Sequence, residues 1–184
     1  MKWLSMLMFL VFPMGQATPL KALFFGEMPA VNTGTLYNHT RQGALTPLSV
    51  PTEFQEGLLT LTLPDDPSTE ASPINLLDVA DQCQFQGQGQ LSYPLHLFGA
   101  FKSGEKLYEL RSANSAQAVE LVYSPNSHSI EGRLSCEGFN LTISTQFKTG
   151  WNLLTLEETQ GEAGSELTQR TLPFNTLLVW TVKP

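Results

Sequence analysis

Much that would mark a familiar enzyme or a membrane protein is missing from this chain of 184 residues. There is no GxSxG elbow, so the strained strand-to-helix serine of the hydrolases is excluded. No HxH or HxxxH pair occurs, and the three histidines, His39, His96 and His128, are far apart; local zinc-ligand spacing is therefore absent. No EF-hand loop is present, and neither cysteine sits in a CxxC motif. No apolar run approaches the roughly 20 residues a membrane-spanning helix needs. Positive charge is scarce, with 10 Lys and Arg against 17 Asp and Glu. An acidic chain gains nothing from neutralising phosphates, so nucleic acid is not an expected partner. No metal or other cofactor is expected, and no catalytic residue is assigned.

What is present begins at the start of the chain. Lys2 precedes a short apolar run that ends in the small residues Gly15 and Ala17. That layout predicts a secretory signal peptide over residues 1–17, cleaved after Ala17; the competing reading is an uncleaved anchor. No cysteine stands at the cleavage point, so lipid attachment there is not expected. Removing Lys2 with this segment leaves 9 basic residues against 17 acidic ones, a net charge of −8 over 167 residues. That length suffices for a proper core. The expected location is exported: periplasm, cell envelope or extracellular space, with no transmembrane span in the mature chain.

The two cysteines are Cys83 and Cys136. In an oxidising compartment an isolated pair reads as one disulfide, worth about 4 kcal/mol by loop entropy before any strain. The competing reading is a nucleophilic or metal-binding thiol, which the lack of a CxxC and of a nearby histidine disfavours.

Alternation dominates the rest. In Gly57-Leu-Leu-Thr-Leu-Thr-Leu-Pro64, the residues Leu59, Leu61 and Leu63 share one face. Strands are also expected at 21–25, 34–38 and 43–50. The polar stretch Asp65 to Ser72 suggests an internal boundary, giving an N-terminal β segment over 18–66 and an antiparallel β domain over 67–184, which could also form one domain. Ser72 as cap and Pro73 at the first helical position predict one short helix, with Ile74, Leu77 and Ala80 on its buried side. Beyond Cys83 the chain reads as strands at 91–101, 106–111, 117–123, 130–136, 139–147, 151–157 and 175–182, with Gly161 to Ser165 a flexible loop. Turn signals every 8 to 12 residues predict an all-β antiparallel sandwich, of immunoglobulin or transthyretin type, with one short helix and one disulfide.

The stretch Cys136-Glu-Gly-Phe-Asn-Leu-Thr-Ile-Ser-Thr-Gln-Phe-Lys-Thr-Gly-Trp-Asn152 holds residues an active site could use. Side chains alternate across a strand. Leu134 and Cys136 therefore share a face, and Phe139, Leu141, Ile143 and Phe147 point inward. A thiol beside leucines lacks the electropositive setting that a reactive thiolate requires. Lys148 to Gly150 suits a three-residue hairpin loop ending in a left-handed glycine. The segment then resembles one found in exported bacterial envelope families of unknown function, in which a strand ending in cysteine precedes an alternating strand and a Gly-Trp-Asn that opens the next. Cys136, the 139–147 strand and Gly150, Trp151 and Asn152 carry that likeness, along with Thr33-Gly-Thr-Leu-Tyr-Asn38 and the strand closing at Pro64. The pattern is also similar to the first strands of carboxypeptidase-regulatory or transthyretin-like sandwiches. It implies export, an all-β fold and the disulfide, and carries over no catalytic residue. Asn38-His-Thr40 and Asn140-Leu-Thr142 match the glycosylation acceptor pattern, which a bacterial setting leaves unused.

Asp65, Asp66, Glu70, Asp78 and Asp81 could hold calcium, but early helical acids are explained more simply by the helix dipole. Trp180 lies in a strand apolar on both faces and is expected in the core. Trp151 and Tyr123 are the candidate binding residues, as a stacking surface for a glycan or a peptide. The expectation is an exported, non-catalytic binding or structural protein of the bacterial cell envelope, partnered by an envelope protein or glycan. The alternative is a secreted hydrolase or metal-dependent enzyme whose site assembles only in the fold.

Overall fold

Fourteen strands build the protein: β1 (Thr18–Phe24), β2 (Thr33–His39), β3 (Leu45–Gln55), β4 (Leu58–Leu63), β5 (Ile74–Asn75), β6 (Gln84–Gln88), β7 (Pro94–Ser103), β8 (Lys106–Ser112), β9 (Ala118–Ser124), β10 (His128–Cys136), β11 (Phe139–Phe147), β12 (Gly150–Gly161), β13 (Gly164–Leu172) and β14 (Leu178–Val182). The computed structural model describes residues 17–24, 33–39, 45–67, 74–75, 83–91, 94–103, 105–115, 117–161 and 164–182. The expected signal peptide lies outside the described residues except for Ala17. So does most of the expected helix.

The strands close into an eight-strand barrel in the order β7-β2-β3-β4-β1-β14-β8-β9, with β9 returning to β7. This corrects the expected sandwich. Both architectures demand the same inward–outward alternation and the same short strands, so the sequence pattern does not separate them. Two long-range pairings decide the matter. β1 meets β14 in parallel, at Leu23↔Val179 and Phe24↔Trp180. β9 enters between β7 and β8, which pair directly only at Phe101–Ser103 with Lys106–Tyr108, and it takes β7 at His96↔Tyr123 through Phe98↔Leu121. The barrel thus draws strands from residues 18–63 and from residues 94–182 alike.

A barrel of this size has an interior just wide enough for side chains. Trp180, Tyr108, Phe98 and Phe101 fill it, each no more than 2% exposed, together with leucines from β1, β2, β3, β4 and β9. The Leu59, Leu61 and Leu63 face is buried as expected, with Leu61 opposite Leu20 and Leu59 opposite Ala22 on β1. Gly34 is fixed by close approach: a Cβ there would lie 1.8 Å from Cε2 of Phe101.

The sheet continues past the barrel. β12 pairs with the outer edge of β9, and β13, β11, β10 and β6 follow. β12 carries Trp151 and Leu153 into the barrel core and Leu154 into a second cluster with Leu95, Val122 and Phe147 on the other face. Farther out, Ile130, Leu134, Ile143 and Leu91 pack around the Cys83–Cys136 disulfide, which ties the residue before β6 to the end of β10 with Cα atoms 4.4 Å apart. The parity of the 130–147 segment is as read, with Ile143, Thr145 and Phe147 buried and their neighbours exposed.

Three further expectations are corrected. Among the described residues there is no helix; Ile74 and Asn75, placed at the helix start, pair with Leu95 and Pro94 as strand β5. β11 and β12 do not form a hairpin, because β13 lies between them, parallel to β11 and antiparallel to β12. Where a flexible Gly161 to Ser165 loop is expected, strand pairing runs to Gly161 and resumes at Gly164, which face each other, and Ser165 pairs with Gln160; residues 162–163 lie outside the described residues. Among the described residues no helix is long and apolar enough to cross a membrane.

Replacing Gly34 by alanine forces a methyl into the Phe101 ring. Overpacking of this kind costs about 1–3 kcal/mol. A lowered urea midpoint with an unchanged slope is the expected outcome, and an unchanged midpoint refutes the packing assignment.

Candidate functional site

β12 opens with Gly150, whose φ of 96° falls in the left-handed region that glycine tolerates. Two residues on, the Asn152 side chain closes this corner on itself. Its Oδ1 accepts from the Lys148 backbone N–H at 2.9 Å, and its Nδ2 donates to the carbonyls of Lys148 at 2.8 Å and Gly150 at 2.9 Å. The amide is buried with its donors and its acceptor engaged, as a buried polar group must be. Asn152 is therefore a turn lock.

Between them, Trp151 turns into the barrel. Its indole N–H donates to the Pro64 carbonyl at 2.7 Å, joining β12 to the end of β4. Its ring lies 5.6 Å from Tyr123 and 5.5 Å from Phe98, and His96 stands 6.0 Å from Tyr123 on the far side. The two candidate binding residues are thus brought together, but inside: Trp151 is 9% exposed and Tyr123 7%. Burial raises the Tyr123 phenol above its ordinary value, and the nearby carboxylates of Asp66 and Asp65 raise it further.

What opens to solvent is a cleft of about 510 Å³ above this cluster, where the end of β13 and the following turn face the β11–β12 corner. Phe147, Trp151, Asn152 and Leu172 line it from buried or half-buried positions. Ser127, Gln146, Lys148, Pro173 and Phe174 also line it and are exposed, and Phe174 is the open aromatic ring. The walls are fixed by short bonds: the Thr149 N–H donates to Ser127 Oγ at 3.0 Å, and the Gln146 N–H to Thr171 Oγ1 at 3.1 Å. Such a mix of apolar wall and a few convergent polar groups is what small-ligand sites present. The strand at 164–172 and the Pro173–Phe174 turn carry no sequence signal, because Ser165-Glu-Leu-Thr-Gln-Arg-Thr-Leu172 lacks apolar alternation.

The enzyme alternative meets a Ser–His contact among the described residues, Ser124 Oγ to His128 Nδ1 at 3.4 Å. Its protons point elsewhere. Ser124 Oγ donates to the Asn126 carbonyl at 2.7 Å, and His128 Nδ1 lies 3.1 Å from that same oxygen, which only accepts. A nitrogen carrying its proton toward a carbonyl is not free to take one from a serine. The pair fastens the turn at residues 125–127. Burial raises the Glu120 carboxyl above its ordinary value. Among the described residues no three His, Cys, Asp or Glu side chains converge on a metal position. His39 ends β2 and its side chain lies outside the description, as do Glu70, Asp78 and Asp81. Both cysteines are consumed by the disulfide.

Comparison of the chain with protein-family models, characterised proteins and solved structures finds no match.

Two outcomes follow. Trp151→Phe removes the donor from the half-buried Pro64 carbonyl, which costs about 0.5–1.5 kcal/mol in urea unfolding and loosens the end of β4 from β12; an unchanged stability sinks this role. His128, stacked 4.8 Å from Phe147, has its pKa lowered, chiefly by burial and against the raising effect of the Asn126 contact. The unfolded chain therefore takes up that proton first. Stability is full above about pH 6.5 and falls as the solution is acidified below it. Urea midpoints measured between pH 7.5 and 5.5 should decline, and less so in His128→Phe.

Proposed function

We propose that this chain is an exported, non-catalytic binding protein of the bacterial cell envelope, and that its ligand is a glycan held in the cleft above Trp151. The observation that carries the reading is the cleft itself: an exposed Phe174 ring beside the buried Phe147 and Trp151, with Gln146, Lys148 and Ser127 around the mouth. A sugar ring offers an apolar C–H face to an aromatic side chain and hydroxyls to amide, hydroxyl and ammonium groups, which matches that lining. The disulfide supports an oxidising compartment, where such bridges form and persist. The packed barrel interior supports recognition on the outside of the fold.

Envelope oligosaccharides screened against the full-length protein by saturation-transfer NMR should show contact to aromatic protons. Phe174→Ala should weaken the strongest binder about tenfold, ~1.4 kcal/mol, with the fold retained by circular dichroism. Failure to bind any envelope glycan, or binding indifferent to Phe174, sinks the proposal.

A further inference from the structure

Among the described residues, β1 (Thr18–Phe24) pairs with β14 through Leu23 and Phe24, and its first half makes no pair with β14. Before Leu178 the chain turns away: the Leu177 carbonyl accepts from the Ala113 N–H at 2.9 Å, and the Thr176 N–H donates to the Pro173 carbonyl at 3.0 Å. A notch of about 400 Å³ is left between the first half of β1 and the 174–177 segment.

The edge facing this notch can be read from strand geometry. The Phe24 N–H donates to the Gly57 carbonyl, on the β4 side. Backbone groups of successive residues point to opposite edges. The N–H and C=O of Lys21 and the C=O of Pro19 therefore point into the notch. Pro19 has no N–H to offer, which limits how much strand can add there. Side chains complete the surface: Leu58 is 37% exposed, Leu177 52% and Phe174 37%, an apolar cluster around a strand edge that pairs with no other described residue. Among the described residues lining the notch, Lys21 is the one charged group, in a chain with 17 acids and 10 bases.

We propose that this notch is a docking site for a short extended segment of a partner polypeptide, which adds as a strand to the open half of β1, lays aliphatic side chains against Leu58 and Leu177, and sets an acidic residue against Lys21. Strand addition draws affinity from main-chain hydrogen bonds and specificity from alternate side chains. A lysine that is the one charged group of the notch lining selects for an acidic residue and against a basic one. The site is separate from the glycan cleft, with Phe174 the residue common to both linings.

The test uses the full-length protein and fluorescein-labelled short peptides that alternate valine and threonine around a central aspartate. Anisotropy should report saturable binding. Exchanging that aspartate for lysine, or introducing Lys21→Glu in the exposed position of β1, should each weaken binding about tenfold. Methylating alternate peptide amides should abolish it. Equal binding of the acidic and basic peptides, insensitivity to Lys21→Glu, survival of amide methylation, or no binding at all would each overturn the proposal. So would self-association of the protein through this face that the peptide does not compete with, since the occupant would then be a second copy.

Discussion

The barrel depends on one junction. Leu23 against Val179 and Phe24 against Trp180 are the residue pairs through which the first strand joins the last. Behind them, Phe24 stacks 5.0 Å from Tyr108, and Trp180 lies 5.3 Å from Phe101. Among the described residues the junction is two pairs long, and it is rich in buried aromatic surface. Each large ring contributes apolar burial worth more than a net backbone hydrogen bond, so packing holds the closure where the ladder is thin. The notch beside it is what remains when two strands meet over only part of their length.

A second constraint shapes the opposite side. β9 is flanked by β7 and β8 on one edge and by β12 on the other, and both of its faces are covered. That position makes it the hinge between barrel and extension. Val119, Leu121 and Tyr123 belong to the barrel core, and Val122 belongs to the cluster with Leu154 and Phe147. The corner that starts β12 sits beside this hinge, and for that reason Trp151 can reach the Pro64 carbonyl below while the cleft opens above. Strands hold Phe147, Trp151, Asn152 and Leu172 in the cleft wall, while Phe174 stands on the turn that follows β13.

The sequence pattern made local structure legible and long-range structure less so. Leu59, Leu61 and Leu63, and the run from Phe139 to Phe147, declared their faces through strict alternation. The lone cysteine pair declared its bridge. Trp180 declared its burial through apolar neighbours on both faces of its strand. What failed was neighbourhood. Ser72 and Pro73 carry helix-start chemistry, yet Ile74 and Asn75 pair with β7, a case of tertiary context overriding local propensity. β13 has half-buried residues on both faces and so no periodic signal. Without it, β11 and β12 read as a hairpin. The choice between barrel and sandwich rests on which edges meet, and neither the parallel β1–β14 pair nor the β9 insertion has a signature in local composition. Of the candidate site, Trp151 was visible as an aromatic and Phe174 was not, because its role comes from a turn that follows an unrecognised strand.

The junction between β1 and β14 also sets an order of events in the life of the chain. Residues 18–24 emerge from the ribosome long before residues 178–182, and the barrel cannot close until the later ones exist. A fold with so many contacts between distant parts of the chain forms slowly. Until synthesis has passed residue 182 the early strands have no complete barrel to join, and the two ends of the described sheet cannot yet lock each other in place.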